Sequence, residues 1–194
     1  MIAIISFCKH NAEQIKSLLN YNELEIKISS VETDIVKADK IILPDAINFN
    51  SAYRKLQFSN LFSLIRLLNK PILGINIGFH LMCKSIVNTN KTGLGLFDVD
   101  ISGYHTLSED KKYRSGTVKL IGKSKLVKKI DEGDLIEAYK QNYQSINKFT
   151  KSILLIDNEE YSLTYENDNY FGVELNFEKN QLFGKHLIEN FISV

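Results

Sequence analysis

The chain is poor in cysteine, in proline, in net charge and in long apolar runs, and each shortage removes a class of protein. Only Cys8 and Cys83 occur among the 194 residues. Two thiols make no disulfide framework and fit a reducing cytosol. Twenty-four basic residues stand against 23 acidic ones, which leaves no electrostatic footprint for a nucleic acid or an anionic membrane. No apolar run approaches the roughly 20 residues of a membrane span. The apolar opening, Ile2 to Phe7, is too short and too early for a secretory signal, and no basic segment precedes it. The expected location is cytoplasmic. The four histidines show no metal-ligand spacing with the cysteines or carboxylates, so no metal is expected. Gly93-x-Gly95 alone is too little for a phosphate loop, and no cofactor is expected. Low proline beside many Lys, Asn and Ile reflects an AT-rich genome rather than a function.

What is present reads as one α/β domain over residues 1–194, long enough for a three-layer core. Ile2 to Phe7 is an apolar strand. Asn11 to Asn20 reads as an amphipathic helix, with Asn11 and Gln14 in a capping-box relation. A strand from Leu24 to Ser29, a helix from Ser30 to Lys37 and a strand from Lys40 to Leu43, stopped by Pro44, follow. Next come a helix from Ala52 to Asn69, a strand from Pro71 to Ile75 and a helix from Ile77 to Val87. This alternation predicts a doubly wound, mostly parallel sheet. The second half turns to strands, around Gly116–Ile121, Leu135–Tyr139, Ile153–Asp157, Tyr161–Tyr165 and Tyr170–Leu175, closed by a helix over Lys179–Ile192. The sheet is therefore expected to be mixed. The lysines between Val118 and Lys129 read as a solvated edge, and the aromatic stretch from Tyr161 to Tyr170 as strand-face packing.

The segment Lys70-Pro71-Ile72-Leu73-Gly74-Ile75-Asn76-Ile77-Gly78-Phe79-His80-Leu81 carries the chemistry. Gly74 and Gly78 flank Asn76 with the spacing of a nucleophile elbow, a strand-to-helix corner too tight for side chains at its flanks. A cysteine or serine at its centre would project over a helix N-terminus that favours an anion. An amide has no ionisable proton near neutral pH and cannot attack. Asparagine does tolerate positive φ, so Asn76 keeps the geometry without the nucleophile.

With these residues the chain resembles the class I glutamine amidotransferases, nearest the glutaminase subunit of imidazole glycerol phosphate synthase. The likeness rests on Met1–Ile5, Ala38–Pro44, Lys70–Leu81, Leu94–Phe97 and Tyr170–Lys179, in family order along the whole chain. It implies a flavodoxin-like three-layer fold. It also implies a thiolate that attacks the side-chain amide of glutamine, a histidine base and a glutamate orienting that base. By position the nucleophile falls on Asn76 and the base on Asn176, and Glu178 alone is retained. On an extended segment Asn176 and Glu178 point to one side, which predicts a carboxylate–amide hydrogen bond between them. The family's glycine-rich oxyanion loop is replaced by Pro44-Asp45-Ala46-Ile47-Asn48-Phe49. Asp45 brings negative charge to a place where each oxyanion donor is usually worth about 3–4 kcal/mol. His80 replaces the glutamine that follows the elbow, and the two later family segments give way to Lys112–Thr117 and Ala138–Gln141.

The resemblance thus implies a pseudo-glutaminase that docks on a synthase partner. That partner would be a (β/α)₈-barrel, cyclase-like subunit or a sugar amidotransferase subunit in histidine or surface-polysaccharide biosynthesis. A pocket around Cys8, Asp45, Ala46, Gly74, Gly78 and His80 would take a glutamine-like small molecule. His80, four residues after Asn76, is expected on the pocket rim or a half-buried helix face. The alternative is an active amidotransferase or hydrolase using Cys8, which ends the first strand beside Lys9 and His10. Cys83, two turns down the expected elbow helix and roughly 10 Å away, reads as a core thiol. His105 and His186 read as loop and helix-face residues.

Overall fold

The computed structural model describes residues 1–19, 24–87, 91–101, 113–128, 130–139 and 146–194. Asn20, His105, Lys112, Lys129, Lys140 and Gln141, named above, lie outside the described residues. The strands and helices run β1 (Ile2–Ile5), α1 (Lys9–Leu18), β2 (Ile26–Ser29), α2 (Glu32–Lys37), β3 (Lys40–Leu43), α3 (Phe49–Phe58), α4 (Leu61–Leu67), β4 (Ile72–Ile75) and α5 (Ile77–Met82). They continue as β5 (Cys83–Ile86), β6 (Phe97–Ile101), β7 (Tyr113–Leu120), β8 (Leu135–Tyr139), β9 (Thr150–Ile156), β10 (Glu159–Asn167), β11 (Tyr170–Val173) and α6 (Gln181–Ile192).

Among the described residues nine strands form one sheet in the order β2-β1-β3-β4-β11-β10-β9-β7-β8. The half from β2 to β11 is parallel and the remainder antiparallel. The parallel strands β1, β3 and β4 are apolar and almost wholly buried, as strands covered on both faces must be. One face packs on α1 and α6 through Ala12, Ile15, Leu187 and Phe191. The other packs on α2 to α5 through Ile35, Leu56, Ile65 and Phe79. The result is a doubly wound, three-layer mixed sheet. Among the described residues no helix is long and apolar enough to cross a membrane.

Four expectations change. The helix expected over Ala52–Asn69 is two helices, because Asn60 adopts left-handed backbone at φ 55 and breaks the ladder. The helix expected over Ile77–Val87 stops at Met82, because Cys83–Ile86 pairs in parallel with Phe97–Ile101. Cys83 is therefore the first residue of a strand rather than two turns along a helix. The capping box fails: α1 begins at Lys9 after Cys8, which gives no side-chain cap. Asn11 lies inside that helix and donates its Nδ2 to the Asp45 carbonyl at 2.9 Å.

Candidate functional site

The strand-to-helix corner at Asn76 stands where expected. β4 sits between β3 and β11, so the corner lies at the carboxyl ends of three parallel strands, the edge at which doubly wound sheets place ligands. Asn76 has φ 47 and ψ −112, backbone that a non-glycine residue occupies at a cost of order 1–3 kcal/mol. Its backbone N–H donates to the Val173 carbonyl at 2.8 Å, and its carbonyl accepts the His80 N–H at 2.9 Å. The flanking glycines are steric necessities. A Cβ on Gly78 would stand 1.9 Å from the Leu43 carbonyl oxygen, and one on Gly74 would stand 2.6 Å from the Phe79 Cα.

The Asn76 amide is fully engaged. Its Nδ2 donates to the Leu175 carbonyl at 2.8 Å and to Asp45 Oδ2 at 3.1 Å. Its Oδ1 accepts the Leu175 N–H at 2.8 Å. The side chain thus pairs with Leu175 at both ends, as a strand residue would, and fastens the elbow to the chain leaving β11. Asn76 is only 3% exposed.

Asp45 completes the closure. Its Oδ1 accepts the backbone N–H of Ala46 at 2.8 Å and that of Ile77 at 3.3 Å. In nucleophile-elbow hydrolases the N–H after the nucleophile and an N–H from the loop after the third strand form the oxyanion hole. Ile77 follows Asn76 and Ala46 lies in the loop after β3, and in this chain both N–H groups donate to the Asp45 carboxylate. Burial pushes the Asp45 carboxyl above its ordinary range, while the hydrogen bonds from Ala46, Asn76 and Ile77 and the nearby His80 pull the other way.

A half-open cleft in front of the corner is lined by Asn11, Gln14, Asp45, Asn76, Asn176 and Glu178, over an apolar base that includes Ile75 and Phe177. Its volume is about 40 Å³, against about 300–1,000 Å³ for sites that enclose a small molecule. Asn176 is buried, and its Oδ1 accepts the Glu178 backbone N–H at 3.1 Å. Its Nδ2 has no hydrogen-bond partner among the described residues. The carboxylate–amide bond expected between Asn176 and Glu178 does not form. β11 ends at Val173 and residues 177–179 turn, so the alternation of an extended strand no longer applies. Glu178 instead reaches the exposed His10, Oε1 to Nε2 at 3.3 Å.

Other candidates fall away from the cleft. His80 is 1% exposed and not on the rim; its Nε2 lies 2.5 Å from Glu174 Oε1, beneath the elbow. Glu174 carries no local signal in the sequence, because its partner lies 94 positions away. Cys8 is half-buried and does not line the cleft. Cys83 is buried; desolvation, with the nearby Glu174 and Asp100 charges, pushes its thiol well above the ordinary value. His186, on α6, is partly exposed. Among the described residues no three His, Cys, Asp or Glu side chains are grouped so as to hold a metal ion.

No protein-family model matches the chain. Imidazole glycerol phosphate synthase subunit HisH 2 of Methanococcus maripaludis is 30% identical over 203 residues, covering 99% of this chain and 98% of its own length. The HisH subunit of Bacteroides fragilis is 24% identical over 196 residues, covering 100% of this chain and 99% of its own length. Among solved structures, a crystal structure of a glutamine amidotransferase superposes with TM-score 0.72 at 9% identity, covering 99% of this chain and 97% of that one. PurLQS from Thermotoga maritima superposes with TM-score 0.66 at 16% identity, again covering 99% and 97%. At such identities the two superpositions establish the fold.

Proposed function

From the premise that the chain belongs to the family of HisH, the glutamine amidotransferase subunit of imidazole glycerol phosphate synthase, we propose that it is a pseudo-glutaminase that serves a synthase partner as a binding or regulatory subunit. The observation that carries this reading is the closure at Asn76. The amide at the nucleophile's place is bonded at both ends, and the Asp45 carboxylate occupies the N–H groups of Ala46 and Ile77. A tetrahedral oxyanion would meet a carboxylate there instead of two donors. Asn176, at the place of the base, offers an amide that takes no proton near neutral pH.

The loss is large. Removing the nucleophile and base of comparable triads lowers turnover by about 10⁴ to 10⁶, and losing one oxyanion donor by about 10² to 10³. These factors do not multiply, but either leaves hydrolysis below a useful rate. What such a subunit retains is its surface. The relatives are named as subunits of imidazole glycerol phosphate synthase, and a cyclase-like barrel or a sugar amidotransferase subunit is the partner class proposed here. It would work in histidine or surface-polysaccharide biosynthesis in the cytoplasm, its partner drawing on free ammonia.

The test is ammonia release from glutamine, measured for the protein alone and with the synthase subunit that co-purifies from native cells. Background rates with a stable complex are expected. Partner-stimulated release of ammonia refutes the reading.

A further inference from the structure

The two edges of the main sheet are finished differently. β8 is capped at its middle residue: the Glu137 N–H donates to Asn180 Oδ1 at 2.8 Å, and the Glu137 carbonyl accepts from Asn180 Nδ2 at 2.7 Å. β2, at the other edge, is open; among the described residues nothing pairs with its outer side. The Ile2 N–H donates to the Glu25 carbonyl at 2.8 Å, and β2 runs parallel to β1 with Ile2 beside Ile26 and Ile4 beside Ile28. In that ladder Glu25, Lys27 and Ser29 turn their backbone groups toward β1. Ile26 and Ile28 therefore turn their N–H and C=O groups away from the sheet.

The side chains along this edge complement a copy of themselves. Leu24, Ile26 and Ile28 pack half-buried on the face that carries α1 and α6. Glu25 and Lys27 are exposed on the opposite face, where Lys27 Nζ donates to Asp34 Oδ1 of α2 at 2.6 Å. A lone lysine on an edge strand discourages pairing, but here a glutamate stands two residues before it on the same face.

We propose that β2 pairs antiparallel with β2 of a second copy of this chain, about a two-fold axis through Ile26, so that two chains share one continuous sheet. The axis sets Ile26 opposite Ile26, Leu24 opposite Ile28 and Glu25 opposite Lys27 of the second copy. The outward backbone groups of the two Ile26 residues exchange hydrogen bonds. Both Glu25–Lys27 pairs then fall at non-hydrogen-bonded positions, where facing side chains come closest. Charge selects this register: moving the axis to Ile28 sets Lys27 opposite Ser29 and removes both ion pairs. The contact closes on itself, which uses up the edge instead of extending it into a fibre. None of the residues lining the cleft belongs to β2, so the inference does not depend on what the cleft does.

Sedimentation velocity of the full chain across the micromolar range tests it, with the fold checked by circular dichroism. Wild-type protein is expected to pass from the mass of one chain to that of two as its concentration rises. Glu25→Lys and Lys27→Glu each set like charges opposite one another in both symmetry-related pairs. Each is expected to weaken the dimer at least about fivefold. An equimolar mixture of the two variants restores opposite charges at both pairs and is expected to associate more tightly than either variant alone. A wild-type chain that stays monomeric, variants that dimerise as wild type does, or a mixture no tighter than its components overturns the proposal. Should Lys27→Glu fail to fold, amide hydrogen exchange of the wild-type protein decides. Protection at Ile26 and Ile28 that rises with protein concentration supports the pairing. Protection that ignores concentration, or that comes only with a synthase subunit, assigns the edge elsewhere and overturns it.

Discussion

Replacing Asn76 by alanine probes the closure at its centre. The substitution deletes two hydrogen bonds to Leu175, each 2.8 Å, and one of 3.1 Å to Asp45. It leaves the N–H and carbonyl of a buried leucine, 0% exposed, without those partners, at about 1–3 kcal/mol for each group left unsatisfied. Alanine also tolerates the backbone at φ 47 less well than asparagine does, which adds about 1 kcal/mol. Taking about 4 kcal/mol as the total, a chain of this size melts about 8–16 °C lower. Calorimetry or denaturant unfolding reads the loss directly. Asn76→Gly separates the two contributions: it breaks the same bonds but relieves the backbone, and is expected to be about 1 kcal/mol less damaging than alanine. An Asn76→Ala protein that melts within about 2 °C of wild type refutes the reasoning. So does a glycine variant weaker than the alanine variant, because the strain argument then has the wrong sign.

Three further outcomes are expected. Gly78→Ala places a Cβ 1.9 Å from the Leu43 carbonyl oxygen, on a central strand that cannot yield, and is expected to cost about 3 kcal/mol or more in urea unfolding. Asp45→Asn tests the carboxyl raised by burial. In the folded protein Asp45 binds its proton more tightly than at its ordinary value of 3.8. Its stabilising contribution is therefore complete below that value and is lost as the pH rises through the folded one. The variant is expected to remove this downward slope from urea midpoints measured on the acid side of neutrality. Introducing Asn76→Cys and Asn176→His together is expected to leave glutaminase activity at background, because Asp45 still occupies the Ala46 and Ile77 N–H groups. Adding Asp45→Gly is expected to raise ammonia release by about 10² to 10³.

The central strands β1, β3 and β4 were legible because each is a short, largely apolar run bounded by polar or turn residues, and Lys40–Leu43 has the bounds its sequence suggests, whereas β2 was read from the alternation of Ile26-Lys27-Ile28-Ser29. The elbow was legible from Gly74 and Gly78, since close packing at the corner leaves little other choice. Errors arose where a long-range contact overrode local pattern. Cys83–Ile86 carries on the apolar periodicity of α5, yet pairing with Phe97–Ile101 draws it into a strand. Asn60 looks like an ordinary helix residue until its backbone turns left-handed. At the site the sequence placed a charge from Asp45 near the oxyanion position, but not that its oxygen would take both donors. His80 was legible as a changed position, and Glu174 was not, because their contact exists only once α5 and the end of β11 are packed together.

The most direct test of the central claim is intact-mass analysis after incubation with a glutamine-mimicking electrophile, with the synthase partner present and with peptide mapping of any adduct. The expected result is no added mass on Asn76, Asn176 or any other side chain of the cleft. A stoichiometric adduct on one of those side chains would contradict it, for the corner would then still hold a working nucleophile.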